Sequence, residues 1–505
     1  MFFYENKFYS ISFWEKMRNF LLILLFVLAT LITAKSEDFN TYFKDKTMRI
    51  DYYIIGDAKT NEIIIDQIYE YGIWAGSLKN LLDNFDNGTF YLKIYDKKSN
   101  KLIFSKGFDD YFREYQTTGK AIKGEKKVFH ESAIIPSPKN SIILSIEKRD
   151  KLLNLKEIFR TSIEPDDISI NREGLLDESI RIYDLQISGD SHQKVDIAIL
   201  LEGYDAFEDT KAINDLQRMV STFFSQEPFK SSKNKFNIRG VFKPSPQSGA
   251  DEPRAGIFKR TAIETTFNSL GSERYLLTEN NRDLRNIAAA VPYDAIIIMV
   301  NSKQYGGGGI YNFYSTFTAD NQFSSYLLLH EFGHSFAGLA DEYYTSATAY
   351  DDFYSNNSEP KEPNITRLLS PKDLKWKELC SKGIEIPTKW NKNEFDRADS
   401  IWQKERSVLI DKIAVLKRND ASSDEDLFKA EQDYAQKSKN HADFVDNILI
   451  NNLYYGKVGA FEGAGYLSTG MFRPMLDCIM FSIGKKDYCK VCENAILKMI
   501  NYYSE

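Results

Sequence analysis

The sequence contains two histidines and a glutamate in the pattern H-E-x-x-H, at His330, Glu331 and His334. On a helix, residues four positions apart lie on one face with β-carbons about 5 to 6 Å apart, so both imidazoles can reach a single metal ion. Zinc suits such a pair, and it lowers the pKa of a water ligand to about 7. Glu331 is then placed to act as the general base that activates this water. The spacing predicts zinc-dependent hydrolysis.

A catalytic zinc needs a third protein ligand and an open fourth position, and Asp341 is the preferred candidate for that ligand. If the helix continued past Gly338, Asp341 would lie about 16 Å along the axis from His330, so the chain must turn near Gly338. Glycine adopts the left-handed conformation that ends a helix at little cost. Glu342 is the alternative third ligand. If Asp341 binds the metal, Glu342 can instead accept a hydrogen bond from one of the ligand imidazoles.

The helix with these residues follows a segment in which strand and helix patterns alternate. Continuous apolar runs of buried-strand type occupy residues 195–204, 236–243 and 294–300, and helical patterns occupy residues 209–226 and 283–291. Strands that alternate with helices predict a largely parallel sheet covered on both faces. We expect the chemistry to lie on this sheet.

Residues 306–309 are consecutive glycines. They do not form a phosphate-binding loop, because no lysine followed by serine or threonine comes after them. The next residues, 310–316, alternate as an edge strand does, and an exposed edge can pair with an extended peptide. We expect this strand, which includes Tyr311 and Asn312, to hold the substrate across the zinc; the alternative is a strand that only completes the sheet.

The N-terminal part has short β-rich runs at 48–55, 89–96 and 141–148, separated by turn residues. Several short strands at this spacing are typical of an all-β sandwich. The pattern changes to alternating strands and helices after an irregular stretch. The predicted division is a β-sandwich domain at 35–165, a linker at 166–189 and a zinc-peptidase domain at 190–505.

Residues 375–452 form a charged insertion in this last domain. Apolar residues recur every three or four positions in 393–420 and in 424–449, which predicts two amphipathic helices in an antiparallel hairpin. We interpret the insertion as a solvated structural element without chemistry of its own. The alternative is an exosite for a partner or substrate.

The N-terminus has the features of a secretory signal peptide at residues 1–34. Basic residues come first, and a charge-free apolar run at 20–34 then ends at Ala34. The run is shorter than the roughly 20 residues that span a bilayer, although an uncleaved anchor is the alternative. We expect a secreted, periplasmic or cell-surface protein with no transmembrane segment in the mature chain.

The number and spacing of the cysteines are compatible with export to an oxidising compartment. Cys478, Cys489 and Cys492 lie close together, whereas Cys380 is distant. A second C-x-x-C pair would indicate a structural zinc site, but there is a single pair and no histidine follows it. A local disulfide is therefore the favoured interpretation, and buried free thiols are the alternative.

Composition limits the partners. The 505 residues are 43% hydrophobic, which is ordinary globular composition with enough apolar material for two or three domains. The net charge of −7 provides no basic excess to neutralise phosphates, so nucleic acid is excluded as the main partner. The remaining histidines, His130, His192 and His441, are isolated in sequence and are assigned to packing roles.

The segment HEFGHSFAGLADEYY looks like the signature of the IgA-peptidase family of secreted bacterial zinc metallopeptidases. Further segments are similar in the same order along the chain: PSPQSGADEP, NSKQYGGGGIYNFYS, FEGAGY, GMFRPMLDCIM and CKVC. The resemblance implies a metzincin-like catalytic domain with zinc on the active-site helix and a methionine turn beneath it. Met480 is preferred over Met471 for that turn. In this sequence Gly338 and Asp341 each stand one position later than in the metzincin pattern.

The sequence thus predicts a multidomain α+β protein, an N-terminal β-sandwich followed by a metzincin-like α/β zinc-peptidase domain with a helical insertion. Its expected function is hydrolysis of peptide bonds in extracellular proteins, with host glycoproteins or immunoglobulins among the substrates that the resemblance implies. The N-terminal domain is a candidate for glycan or protein contact. The alternative is a surface glycan- or protein-binding module with an inactive or structural metal site, and Glu331 counts against it because a structural site gains nothing from a carboxylate beside its ligands. A zinc hydrolase acting on non-peptide amides is a third possibility.

Overall fold

The computed structural model describes residues 39–174, 177–345, 354–355, 357–419 and 422–505. Within these ranges the chain is a mixed α/β protein with several sheets. The predicted signal peptide at residues 1–34 lies outside the described residues. Among the described helices, none combines the length and the apolar character that crossing a membrane requires.

Two antiparallel sheets form the N-terminal region. Its strands are ordered β2-β1-β5 in one sheet and β4-β3-β6-β7 in the other. Buried apolar residues of both sheets, such as Ile50 and Leu92, belong to one hydrophobic cluster. The strands predicted at 48–55, 89–96 and 141–148 are confirmed. The elements are α1 (Phe39–Tyr42), β1 (Phe43–Gly56), β2 (Asn61–Tyr71), β3 (Phe90–Asp96), β4 (Leu102–Phe108), α2 (Tyr111–Gln116), α3 (Gly119–Ile122), β5 (Lys127–Pro138), β6 (Ile142–Arg149) and β7 (Leu155–Ile163).

A six-stranded sheet forms the centre of the C-terminal region, in the order β12-β13-β11-β9-β10-β8. The four inner strands are parallel and the two edge strands antiparallel to their neighbours, so the predicted parallel sheet is confirmed. Every residue of β9 is buried, as expected for a central strand with both faces covered. The elements are β8 (Arg181–Gln186), β9 (Val195–Glu202), α4 (Asp209–Phe223), β10 (Phe236–Phe242), α5 (Asn281–Ala288), β11 (Ala295–Val300), β12 (Gly307–Ile310) and β13 (Tyr314–Thr318).

Two features of this sheet differ from the sequence-based expectations. The stretch 166–189, interpreted as a linker, contains β8, which pairs with β10. The edge strand lies at Gly307–Ile310 instead of 310–316, and Tyr314–Thr318 is an inner strand. Asn312 has a φ of 55° and forms the turn between them, and its N–H donates to the carbonyl of Ser335 at 2.8 Å. The prediction that Tyr311 and Asn312 belong to a substrate-binding edge was therefore wrong.

The remaining elements are the helix that contains the histidine pair, the helices of the insertion, and the C-terminal hairpin and helix. A buried helix, α6 (Ser324–Ala337), contains the histidine pair and packs on β12 and β13. The two helices predicted for the insertion are present. The contacts of Glu405 with Lys437 and of Asp399 with His441 show that they run antiparallel. The elements after α6 are α7 (Lys392–Arg418), α8 (Asp424–Ile450), β14 (Phe461–Ala464), β15 (Leu467–Arg473) and α9 (Lys490–Ser504).

The N-terminal region contacts the C-terminal region at the turn after β12. The N–H of Asp109 donates to the carbonyl of Tyr311 at 2.9 Å. The side-chain amide of Asn312 donates to the carbonyl of Gly107 at 2.7 Å. The two regions therefore meet beside the edge strand on which α6 packs.

Candidate active site

Helix α6 ends at Gly338, as the spacing predicts. Gly338 has φ 60° and ψ 34°, in the left-handed region, and its N–H faces the carbonyls of Gly333 and His334. This conformation is cheap for glycine and closes the last helical turn. The chain then leaves the helix axis, and Asp341 lies beside the face that contains His330 and His334.

Three side-chain atoms converge at this face. Nε2 of His330 lies 3.2 Å from Nε2 of His334. Oδ1 of Asp341 lies 3.1 Å from the first of these nitrogens and 3.2 Å from the second. A tetrahedral zinc ion with bonds of about 2.0 to 2.1 Å keeps its ligand atoms about 3.3 Å apart. The three residues therefore fit a zinc ion.

The other nitrogen of each imidazole faces a backbone carbonyl. Nδ1 of His330 lies 2.9 Å from the carbonyl oxygen of Ile479, and Nδ1 of His334 lies 2.6 Å from that of Leu339. A carbonyl oxygen only accepts, so each Nδ1 donates, and Nε2 is the ring nitrogen that each histidine directs at the point of convergence. Glu342, the other candidate for the acceptor role, contacts Asn364 and Cys492 instead.

Asp341 and His334 shift the pKa values of each other. Burial by itself lowers the pKa of His334, but the carboxylate of Asp341 outweighs this and raises that pKa to about 9. Burial by itself raises the pKa of Asp341, but His334 and His330 hold it well below its usual range. The anionic carboxylate makes this point attractive to a cation.

Glu331 lies on the same cleft, next to the glycine strand β12. Burial raises the pKa of its carboxyl group, while the neighbouring imidazoles oppose that rise. A β-carbon at Gly307 would lie 2.8 Å from Oε1 of Glu331, and one at Gly309 would lie 2.3 Å from the backbone carbonyl oxygen of Glu331. Such approaches exclude any side chain, so the glycine run allows the edge strand to pack directly on α6.

Tyr466, to which the sequence analysis assigned no role, contacts Asp341. Its hydroxyl donates to Oδ2 of Asp341, which leaves Oδ1 directed at the two imidazoles. Tyr466 occupies the tight turn between β14 and β15 with a φ of 63°, a strained conformation for a tyrosine. The N–H groups of Gly465 and Tyr466 donate to the carbonyls of Asp341 and Tyr343, both at 3.0 Å. The tip of this β-hairpin thus holds the segment that contains the carboxylate.

Met480 packs under the histidine pair. A β-carbon at Gly333, between the two histidines on α6, would lie 3.1 Å from the sulfur of Met480. Met471 belongs to a separate small cluster with Ala340 and Ile365. Of the two methionines, Met480 is therefore the one that packs against the helix between the two histidines.

The convergent residues line an open cleft, and the helical hairpin α7–α8 forms one of its walls. Trp402 stacks on His441 with ring centroids 5.3 Å apart, and Nε2 of His441 lies 3.1 Å from Oδ1 of Asp399. Part of the insertion, which its sequence pattern predicts to be a solvated structural element without chemistry of its own, therefore lines the cleft, and an amphipathic pattern alone does not reveal this. His441, assigned to packing, is part of this wall. The residues from the hairpin are Phe395, Asp399, Trp402, Gln403, Ser438, His441, Ala442 and Val445.

Tyr343, Tyr344 and Arg473 each have a side chain that can donate a hydrogen bond to a developing oxyanion, and of these three only Tyr343 lines the cleft. Its hydroxyl accepts a hydrogen bond from Arg274 at 2.9 Å. Tyr344 donates to Asp396 at 2.7 Å. Arg473 is fully buried and donates to the carbonyl of Gly463 at 2.7 Å. Arg274 also lines the cleft, and no sequence pattern had singled it out.

The predicted disulfide is absent from the described part of the chain, where all four cysteines are free thiols. Sγ of Cys478 and Sγ of Cys492 are 3.8 Å apart, far longer than the bond of about 2.0 Å in a disulfide. The three clustered sulfurs instead gather around a carboxylate, Glu342, which is distant from them in the sequence. Cys380 lies elsewhere, with its sulfur 3.7 Å from the carbonyl of Trp376.

The central sheet, the helix with two histidines and the cleft that these histidines line together form the candidate active site. The sequence model described as IgA Peptidase M64 matches residues 183–500, and that described as Peptidase M64 N-terminus matches residues 38–160. The chain belongs to the IgA peptidase M64 family. It is therefore a peptidase whose substrates are proteins or peptides, and the members of this family are metallopeptidases. No curated protein matches the chain.

Proposed function

We propose that the protein is an exported zinc endopeptidase in which His330, His334 and Asp341 bind zinc and Glu331 is the general base. The convergence of three ligand atoms at 3.1 to 3.2 Å beside an open cleft supports this proposal most strongly. Bound zinc supplies the electrophile that makes water acidic and polarises the peptide carbonyl. We also propose a metzincin-like arrangement, with Met480 in the methionine turn, and a sandwich packing of the two N-terminal sheets.

The residues of the chain then have separate tasks. Glu331 accepts a proton from the attacking water and donates it to the departing amine, which balances the proton over the reaction. Burial raises the pKa of its carboxyl group, which makes it a stronger base than an exposed glutamate. Tyr466 is a positioning residue, because it fixes the carboxylate of Asp341. Burial of the imidazoles excludes water from all but the cleft side of the site.

The substrate is proposed to lie between β12 and the helical hairpin. At the start of β12, Gly307 already pairs with residues 274–276: its N–H donates to Arg274 and its carbonyl accepts from Leu276. Gly309 lines the cleft beyond this pairing. An extended peptide that adds to the edge at Gly309 would have its side chains facing Trp402 and His441 of the opposite wall.

The N-terminal region contributes Asp109 and Glu114 to the same cleft. We propose that it takes part in substrate contact, with glycoproteins and immunoglobulins as the substrates to test first. Removal of residues 1–34 during export would place the enzyme in the periplasm, at the cell surface or in the medium. No observation favours the alternative of a binding module with a structural metal site, because Glu331 and the histidines face an open cleft.

The test is proteolysis of a casein and immunoglobulin panel by the purified mature chain, with and without a zinc chelator. Peptide sequencing by mass spectrometry then locates the cleaved bonds. We expect internal cleavage that the chelator abolishes and added zinc restores. Cleavage that is insensitive to the chelator would contradict the metal-dependent mechanism. Failure on every protein, with turnover of small amides, would contradict the assignment as an endopeptidase.

A further inference from the structure

A second group of metal-binding side chains lies next to the active site. It consists of the carboxylate of Glu342 and the sulfurs of Cys478, Cys489 and Cys492, whose ligand atoms all lie within 4.8 Å of one another. All four residues are buried. We propose that this group, the thiolate cluster, binds a structural zinc ion that is distinct from the catalytic one.

The separations of the ligand atoms fit one tetrahedral ion. Zinc–sulfur bonds of about 2.3 Å place two sulfurs about 3.8 Å apart and place a sulfur about 3.5 Å from a carboxylate oxygen. The sulfurs of Cys478 and Cys492 are 3.8 Å apart. Oε1 of Glu342 lies 3.2 Å from the sulfur of Cys492 and 3.8 Å from that of Cys489. A soft, thiophilic ion of the size of zinc suits this set.

Backbone N–H groups point at the sulfurs, as they do where thiolates bind a metal. Cys478 Sγ faces the N–H of Cys489 at 3.2 Å and that of Met480 at 3.4 Å. Cys489 Sγ faces the N–H of Cys492 at 3.5 Å, because Cys489 is the N-cap of α9. Amide donors and a helix N-terminus both stabilise a negatively charged sulfur.

Two further observations point to a cation. Oε2 of Glu342 is buried and has no hydrogen-bond partner among the described residues, which is costly for a carboxylate oxygen that no ion compensates. Three thiolates and a carboxylate exceed the charge of one divalent ion, and the buried guanidinium of Arg473 interacts electrostatically with both Glu342 and Cys478. The environment is thus built for an anionic metal complex.

This ion would join Glu342 to the distant C-terminal segment that contains the three cysteines, beside the catalytic ligands. Glu342 follows Asp341 directly, and its N–H donates to the carbonyl of Met480 at 2.8 Å. Cys478 precedes Ile479, whose carbonyl faces His330. The structural ion would therefore fix the loops that orient the catalytic ligands, without contact with the substrate.

The competing outcome is a disulfide formed by two of the three clustered cysteines after export. It predicts a different metal content and a different number of reactive thiols. Zinc is measured by plasma mass spectrometry in the purified full chain, and thiols are titrated after denaturation with a chelator. We expect two zinc ions and four thiols per chain. One zinc ion together with two thiols would overturn the proposal.

The variant His330→Ala with His334→Ala separates this site from the catalytic one. We expect it to keep one zinc ion and, after exchange with Co²⁺, to show thiolate-to-cobalt charge-transfer absorption. In the otherwise unchanged chain, Cys489→Ser with Cys492→Ser should remove that absorption, whereas the control Cys380→Ser should keep it. A double-histidine variant that is folded by circular dichroism but has no zinc and no such absorption would contradict the structural site. Zinc content, thiol content and cobalt absorption do not depend on peptidase activity, so these measurements test the structural site separately from the proposed function.

Discussion

Asp341 and Glu342 are consecutive in the chain, yet they belong to two different candidate metal sites. Asp341 joins two imidazoles at a cleft, where the side chain of His334 keeps 15% of its surface exposed. Glu342 joins three sulfurs in the interior, where no ligand residue is more than 3% exposed. Three protein ligands with an accessible side suit catalysis, whereas four protein ligands in a closed site suit structure. Two consecutive residues thus direct their carboxylates to opposite sides of one short segment. One carboxylate joins the candidate catalytic site and the other joins the candidate structural site.

We call the site of His330, His334 and Asp341 the open site, and the thiolate cluster the closed site. The largest expected effect comes from removing the general base at the open site. Glu331→Gln keeps the size of the side chain but cannot accept a proton, so kcat should fall by about a hundredfold to ten-thousandfold with zinc content unchanged. Glu342→Gln is the matched control in the closed site. It should lower Tm by several degrees while activity, measured well below Tm, stays within a few-fold of the parent. Full activity in Glu331→Gln would contradict the proposed mechanism.

The glycine strand tests how closely β12 must pack on the open site. In Gly309→Ala the new β-carbon would lie 2.3 Å from the backbone carbonyl oxygen of Glu331, which cannot move without shifting α6. We expect kcat/KM to fall by about a hundredfold, because a shift of about 1 Å disrupts catalytic geometry to that extent. In Gly308→Ala the contact is with Cδ2 of Leu277 at 2.6 Å, a flexible side chain. Equal losses in the two variants would show that the backbone contact is not decisive.

Tyr466→Phe removes the hydroxyl that orients the carboxylate of the open site. The loss of a hydrogen bond to a charged group should reduce kcat by about tenfold, and KM should change little. Steady-state kinetics and zinc titration measure the two parts of this expectation. Zinc affinity should weaken at the open site and remain unchanged at the closed one. An unchanged kcat would show that Asp341 does not depend on the tyrosine.

The smallest effect is expected at the wall of the cleft. Trp402→Ala removes an aromatic surface opposite β12 and leaves the metal-binding side chains in place, so KM should rise by about fivefold with kcat retained. The exposed Ile401, next in sequence and 61% exposed, offers a matched control as Ile401→Ala. A loss of kcat with unchanged KM in Trp402→Ala would contradict a role in substrate binding.

Local patterns predicted the parts of the molecule that depend on local periodicity. Three inner strands of the central sheet, β9, β10 and β11, the helix that ends at Gly338 and the two helices of the insertion appear where their apolar periods and glycine signals indicate. These features depend on neighbours within a few turns, so one sequence is sufficient to find them.

Features that depend on distant contacts could not be predicted in this way. The edge strand was misplaced because residues 310–316 alternate, whereas Gly307 and Gly309 are explained only by the approach of α6. The thiolate cluster was missed because Glu342 and Cys489 are 147 residues apart. Tyr466 reaches Asp341 over 125 residues. No local spacing rule connects such pairs.

Anomalous diffraction at the zinc absorption edge, on crystals of the zinc-loaded mature chain, tests the central claim most directly. We predict one peak within bonding distance of Nε2 of His330, Nε2 of His334 and the carboxylate of Asp341, and a second peak among the three sulfurs. No peak at the histidine pair, or a peak there whose third ligand is a residue other than Asp341, would contradict the account of the active site.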